Sequence, residues 1–255
     1  MNAPIKTINC GGRLVDLSTP LIMEIVNVTP DSFFEHGIKD CLSGDIIDIG
    51  GCSTRPDATP ASEEEEWQRL DEGLKMITAK YPDAIISVDT FRPNIAKRCI
   101  ETYGVDIIND VSGGCKDMFR ITAEYGIPYI LTFNEPATQH VSITAAALKF
   151  FSDRIQQLCE FGQKDIIIDP GFGFNKTIEQ NFELMGNMEQ LKILNRPILV
   201  GISRKSMIYR TIGCTAEEAL NGTSVLDTIS LAKGADILRV HDVKEARECV
   251  RLIKS

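Results

Sequence analysis

The sequence predicts a (β/α)8 barrel formed by one domain spanning residues 1–255, and three observations carry the prediction. Eight short apolar, β-branched runs recur along the chain, amphipathic helical stretches lie between them, and several of those stretches stop at a glycine just ahead of the next run. The length of 255 residues agrees, since barrels of this kind occupy about 250 residues as a single unit.

The runs are LIMEIVNV (21–28), DIIDIG (45–50), AIISVDT (84–90), VDIINDV (105–111), IPYILTF (127–133), DIIIDP (165–170), PILVGIS (197–203) and ADILRVH (235–241). They are nearly continuous rather than alternating, which is how strands buried on both faces of a parallel sheet read. The first clear helix is SEEEEWQRLDEGLKMITAKY, opened by a capping box in which Ser62 is followed three residues later by Glu65. RPNIAKRCIETY, the stretch around TAAALKFFSDRIQQLCEF, EEALNGTSVLDTISLAK and the closing VKEARECVRLIK are further helices. Gly104, Gly126, Gly162 and Gly234 stand where a left-handed residue ends a helix. An open doubly wound sheet is the alternative, but it usually carries five or six strands, and no G-x-G-x-x-G turn follows the first run.

One connection does not fit a regular barrel. Only residues 29–44 separate the first two runs, and TPDSFFEHG at the start reads as an active-site loop. The remaining IKDCLSG is too short for a full barrel helix. Either this barrel lacks its first helix or residues are missing from the sequence there, and the second reading is preferred.

Composition narrows the function. A net charge of −9, with acids spread along the chain, argues against a nucleic-acid partner, which needs a basic face. It leaves room for a small phosphorylated substrate held by a few local cations. No stretch approaches 18 consecutive apolar residues, and the N-terminal MNAPIKTINC has no apolar signal core. No two of the eight cysteines lie within four residues of each other, so no C-x-x-C pair is present. The expectation is a cytoplasmic protein with reduced thiols and no membrane association.

In such barrels the chemistry sits at the C-terminal ends of the strands. The eight runs end in Asn27; Gly50-Gly51-Cys52-Ser53-Thr54-Arg55; Asp89; Asn109-Asp110; Thr132 and Asn134; Asp169; Ser203-Arg204-Lys205; and Arg239-Val240-His241-Asp242. One polar strand end is routine, but eight of eight converging on one mouth call for a ligand. Asp89, Asn109 and Asp169 offer donors and acceptors suited to a flat nitrogen heterocycle, without a nucleophile–base pair. Arg55, Arg204, Lys205, Arg239 and His241 supply positive charge, and the last two strands are the usual phosphate side of the fold. A heterocycle bearing a phosphate or diphosphate is the expected ligand.

NVTPDSF (27–33), DIIDIGG-x-STRP (45–56), SVDT (87–90), IINDVSGG (107–114), DPGFGF (169–174), VGISRKS (200–206) and RVHDV (239–243) resemble, in order and spacing, the motifs of the dihydropteroate synthase family. The resemblance implies a transferase that joins 6-hydroxymethyl-7,8-dihydropterin diphosphate to 4-aminobenzoate, giving 7,8-dihydropteroate and diphosphate. It implies that Asp89, Asn109, Asp169 and Lys205 hold the pterin, that Asn27 ligates a Mg²⁺ carrying the diphosphate, and that Arg239 and His241 bind the diphosphate. The loops with Asp31 to Phe33 and Ser53 to Arg55, Thr54 included, would close over the aminobenzoate, and Phe174, Gly201 and Ser203 would complete the substrate pocket. Lys205, Arg239 and His241 are the expected catalytic residues, and a homodimer packed through the later barrel helices is the expected assembly.

The chain also departs from the family. Cys52 stands where the family usually has glutamate, Glu24 replaces a glycine of the first strand, and Thr132-Phe133-Asn134-Glu135-Pro136 replaces a Met-His-Met segment. His36 and His140 belong to no motif and read as surface residues. Two other functions are weighed. A methyltetrahydrofolate methyltransferase would not need the cations of SRK and RVHD, and a paralogue that binds pterin without turnover would explain the change in the fifth strand.

Overall fold

The computed structural model describes residues 6–28, 42–52, 61–136 and 141–254. The short connection after the first run, with Asp31, Phe33 and His36, lies outside those residues, as do Thr54, Arg55 and His140. A hairpin comes first, β1 (Thr7–Cys10) and β2 (Arg13–Asp16). Then follow β3 (Leu21–Asn27), β4 (Ile46–Gly50), α1 (Glu63–Lys80), β5 (Ile85–Asp89), α2 (Pro93–Tyr103), β6 (Ile107–Asp110), α3 (Lys116–Tyr125), β7 (Tyr129–Thr132) and α4 (Ile143–Glu160). The chain ends through β8 (Ile166–Asp169), α5 (Ile178–Gly186), a 3₁₀ segment (Met188–Leu194), β9 (Leu199–Val200), α6 (Ser206–Ile212), α7 (Leu220–Lys233), β10 (Ile237–Val240) and α8 (Val243–Lys254).

All eight expected runs become strands of one parallel sheet, in the order β8-β7-β6-β5-β4-β3-β10-β9. A parallel bridge between Ile168 and Ile198 joins the two ends of that order and closes the barrel. The Ser62–Glu65 capping box is present in both directions, and Gly104, Gly126 and Gly234 take left-handed conformations at the ends of α2, α3 and α7. Among the described residues no helix is long and apolar enough to cross a membrane.

Two separate cores follow from the period-2 alternation of the strands. Ile22, Ile47, Val88, Ile108, Leu131, Ile168, Val200 and Leu238 point outward and are buried under the helices. Met23, Ile46, Ile107, Ile130, Ile167, Leu199 and Ile237 fill the barrel's N-terminal end, with Ile85 and Leu21 beside them. The hairpin plugs that end: Ile8, Cys10 and Leu17 join the inner cluster, and Arg13 donates to the Asp83 carbonyl at 2.8 Å. Its two-residue turn is Gly11-Gly12, with φ of +57° and +86°, a combination that matches the strand twist and that glycine adopts freely. This hairpin is absent from the strand pattern inferred above.

Two residues further along each barrel strand lies the next inward layer. It consists of Ile25, Asp48, Ser87, Asn109, Thr132, Asp169, Gly201 and Arg239, and all but Ile25 and Gly201 are polar. An apolar floor therefore carries a polar layer, and the barrel mouth opens above it.

Candidate active site

The mouth brings together most of the strand-end residues singled out above. Asp89 and Asn109 are paired Cα neighbours at the ends of β5 and β6, and both side chains are buried. Arg239 spans the barrel, donating from Nε to Asp48 Oδ2 at 2.6 Å and from Nη2 to Asp89 Oδ2 at 2.8 Å. Asn109 Nδ2 donates to the same Asp48 oxygen at 3.1 Å. Asp48 Oδ1, Asn109 Oδ1 and Ser87 Oγ are buried without a hydrogen-bond partner among the described residues. Buried polar atoms are otherwise satisfied in folded proteins, so this concentration in one layer marks a place where a ligand or ordered water completes the bonding.

On the opposite wall, Asp169 is held at the end of β8. Its Oδ1 accepts from the Gly171 N–H at 2.8 Å, and its Oδ2 lies 3.4 Å from the donating Thr132 hydroxyl. Gly171 has a φ of +66°, and a Cβ there would fall 2.2 Å from the Phe133 carbonyl oxygen. The tight turn that delivers the N–H to Asp169 therefore needs glycine. Lys205 reaches over this loop: Nζ donates to the Phe172 carbonyl and sits 4.4 Å from the centre of the Phe174 ring. Lys176 fastens the same loop to the end of β7, donating to the carbonyls of Phe133 and Gly171 at 2.8 Å each and of Phe174 at 3.1 Å.

The rim beyond β9 and β10 holds Ser203 and His241, whose Oγ and Nδ1 are 3.1 Å apart. Arg204, expected among the cations of the mouth, does not serve there. Its backbone takes a φ of +55°, its N–H donates to Thr223 Oγ1 at 3.0 Å, and its guanidinium forms a two-point pair with Asp242 at 2.8 and 2.9 Å. Contacts to the Ala216 and Glu217 carbonyls hold it further in place. The reversed turn directs the arginine into α7 and the loop before it, leaving Ser203 and Lys205 on either side of the turn. Gly201 stays buried, with a Cβ there 3.8 Å from the Arg239 side chain. Asn27 ends β3 with its side chain exposed, its Cα paired with Gly50.

Charge in the mouth is dominated by burial. Burial raises the Asp89 carboxyl above its usual range, with Arg239 opposing and Asp48 reinforcing the rise. Burial also raises Asp169, against the pull of Lys205. Lys205 is lowered to about 8 by burial, with Asp169 working the other way. Arg239 loses solvation too, but Asp48 and then Asp89 outweigh that loss and raise its pKa, so it stays charged. Charges of both signs meet in the mouth: the carboxylates Asp48, Asp89 and Asp169 are faced by Arg239, Lys205 and Lys176.

Strand-end reasoning missed Asp48, Ser87 and Lys176. The first two sit one inward step below the strand ends, and the alternation Ile46, Asp48, Gly50 is the signal that would have found Asp48. Cys52 is half-buried. Glu24 points out of the barrel, its Oε2 accepting from the Ser43 and Gly44 N–H groups at 2.8 and 3.0 Å, so it anchors the entry to β4.

Residues 23–241 match the model of a family described as pterin binding enzyme. A dihydropteroate synthase of Clostridium beijerinckii is 39% identical, over 91% of this chain and 92% of that protein. The dihydropteroate synthase of Bacillus subtilis is 36% identical, over 91% and 87%. Among solved structures, dihydropteroate synthase from Xanthomonas albilineans with 4-aminobenzoic acid superposes with a TM-score of 0.90 at 31% identity, covering 98% of this chain and 97% of the other. The Clostridium difficile enzyme, solved in the presence of pteroic acid, gives 0.87 at 33% identity, covering 93% and 96%. The chain belongs to the pterin-binding enzymes and, within them, to the dihydropteroate synthase family.

Proposed function

We propose that this chain joins 6-hydroxymethyl-7,8-dihydropterin diphosphate to 4-aminobenzoate, releasing diphosphate, with the pterin ring lying in the polar layer between Asp89 and Asp169. The observation that carries this reading is the set of buried Asp89, Asn109 and Asp169 with half-buried Lys205 around one mouth, and an unpartnered acceptor on Asn109. The carboxylates accept from the N–H groups of the ring, and Lys205 donates to its carbonyl side. Arg239 and His241, with Ser203 beside it, lie where the diphosphate leaves.

The chemistry needs no covalent nucleophile. Departure of diphosphate leaves positive charge at the methylene carbon, which the electron-rich ring spreads. The protein's work is to hold both reactants in line and to set fixed charges around the leaving oxygens. The aryl amine then attacks that carbon and loses its proton. Mg²⁺ suits a site with one exposed strand-end amide: it binds through one or two protein oxygens together with substrate phosphates and water, not in an all-protein cage. Asn27 would hold it, and when bound it would neutralise charge on the diphosphate. Thr54, Arg55 and Phe33 are proposed to close over the aminobenzoate.

The assembly is proposed to be a homodimer through α6 and α7, where Ile212, Val225 and Ile229 are exposed apolar residues. A reducing cytoplasm suits the chain, since Cys10, Cys99, Cys115, Cys159, Cys214 and Cys249 are free thiols. The test of the function is formation of dihydropteroate from pterin diphosphate and 4-aminobenzoate with Mg²⁺. Turnover is the expected result, and a folded chain that binds both substrates without forming product would refute it.

A further inference from the structure

Beneath the residues used so far lies a buried acid that the reaction, as derived above, does not employ. Asp48 faces into the barrel from β4 and is fully buried. Its Oδ2 accepts both Arg239 Nε, at 2.6 Å, and Asn109 Nδ2, at 3.1 Å. Arg239 is thereby stretched between two carboxylates one layer apart, since its Nη2 donates upward to Asp89 at 2.8 Å. Asp89 is also the carboxylate that the ring's N–H donors must take, so arginine and substrate draw on one carboxylate.

We propose that Asp48 is a positioning residue that retains Arg239 through Nε while the pterin ring takes Asp89, leaving the outer edge of the guanidinium for the departing diphosphate. The inference rests on placing the pterin against Asp89. A guanidinium is planar and always charged, and its donors lie in a fixed fork, so one edge can stay bound while the other changes partner. With Asp89 as its sole partner, Arg239 would be left buried and unpaired whenever the ring bound, which is strongly unfavourable. Asp48 keeps the cation paired throughout. The same Oδ2 also fixes Asn109, whose Oδ1 is left without a protein partner. Stability does not explain the acid, since buried ion pairs are often no better than apolar side chains of similar size. The same layer already accepts an aliphatic residue, Ile25 on β3.

The test compares wild type with Asp48→Asn, which keeps the shape and removes the charge. Asp89 is faced by Arg239 from β10, Asp48 from β4, Asp110 from β6 and Glu66 from α1, and only one of these charges is altered. In a variant that melts close to wild type, affinity for 6-hydroxymethylpterin should fall about 10- to 100-fold, the usual span for a lost hydrogen bond to a charged group. kcat/KM for the pterin diphosphate should fall at least as far, while KM for 4-aminobenzoate holds. The acid limb of the pH profile should move to lower pH, because a like charge beside Asp89 is gone. A role limited to packing moves neither the limb nor the split between substrates.

If Asp48→Asn does not fold, the wild-type protein carries the test by NMR. The Arg239 Nε–H resonance, assigned by its loss in Arg239→Lys, should stay protected from exchange while 6-hydroxymethylpterin is added. A folded Asp48→Asn with unchanged affinity and limb, or loss of Nε–H protection when the pterin binds, would overturn the proposal. A wild-type chain that fails to bind 6-hydroxymethylpterin would remove the functional reading, and this inference with it.

Discussion

Lys205 offers a perturbation that activity and stability should register with different dependences on pH. Lys205→Met removes the charge and keeps an unbranched stem, which matters because the stem packs tightly: a Cβ on Gly173 would fall 2.9 Å from Lys205 Cδ. Lys205→Ala removes both. If Lys205 donates to the ring, losing that charged hydrogen bond costs about 1.5–3 kcal/mol, or roughly 10- to 150-fold in kcat/KM for the pterin diphosphate. Asp169 also loses the cation that opposes its burial, so its carboxyl should rise further and the acid limb of the profile should shift upward in pH. Stability has a pH dependence of its own. Burial lowers Lys205 from 10.5 to about 8, so the folded state binds this proton less tightly than the unfolded chain does. The penalty is fully present below about pH 8 and is relieved as pH rises toward the unfolded value. Between pH 8 and 10.5 the melting temperature of the methionine variant, which carries no such charge, should therefore fall relative to wild type, whatever Asp169 loses with its partner. The assays are steady-state turnover with each substrate varied, over a range of pH, and calorimetry on the same samples. A methionine variant that keeps kcat/KM within about threefold of wild type, or whose melting temperature does not fall relative to wild type over that range, would refute the reasoning.

Two further outcomes follow from the same geometry. In wild type, kcat/KM for the pterin diphosphate should be bell-shaped: its acid limb lies above the ordinary carboxylate range because burial raises Asp89 and Asp169, and its basic limb falls near 8 as Lys205 loses its proton. A profile flat from pH 5 to 9 would exclude these groups from the rate. Gly171→Ala should destabilise the fold by about 2 kcal/mol or more, since its backbone is left-handed and the new methyl would meet the Phe133 carbonyl. The melting temperature should fall by about 4 °C or more, with turnover reduced as well because the Asp169 carboxylate loses its N–H donor.

The barrel was legible because its strands are buried on both faces, so the runs around Ile47, Ile108 and Ile168 read as continuous apolar segments of strand length. The hairpin was not, because its strands have four residues each and only Ile8 and Cys10 are buried. The Gly11-Gly12 pair between TINC and RLVD was its one visible signal. Strand ends located Asp89, Asn109, Asp169 and Lys205 correctly, since polar residues there mark the mouth. Asp48 escaped the same rule because it lies inside the strand, where charge is rare and has to be read by alternation. Arg204 was placed in the mouth by proximity to Lys205. What moved it away is its own left-handed backbone ahead of an extended Lys205, and nothing in SRK announces that turn.

The change in the fifth barrel strand can now be placed. Of the segment Thr132-Phe133-Asn134, Thr132 ends the strand facing the mouth. Phe133 faces outward and packs against Phe150 and Phe151, with ring centres 5.2 and 6.2 Å away. Asn134 donates to the Val111 carbonyl at 2.7 Å and accepts from Asn175 at 2.9 Å, tying together the loops after β6, β7 and β8. Two of the three departures therefore have partners within the protein. At the third, a soft apolar side chain expected from the family gives way to a hydroxyl that donates to Asp169 at 3.4 Å. Hydrogen bonds to a carboxylate favour its charged form, and the Gly171 N–H works in that way against the burial that raises Asp169. What this wall loses in apolar surface is set against a firmer hold on the carboxylate opposite Asp89, and the four polar contacts assigned to the ring are left in place.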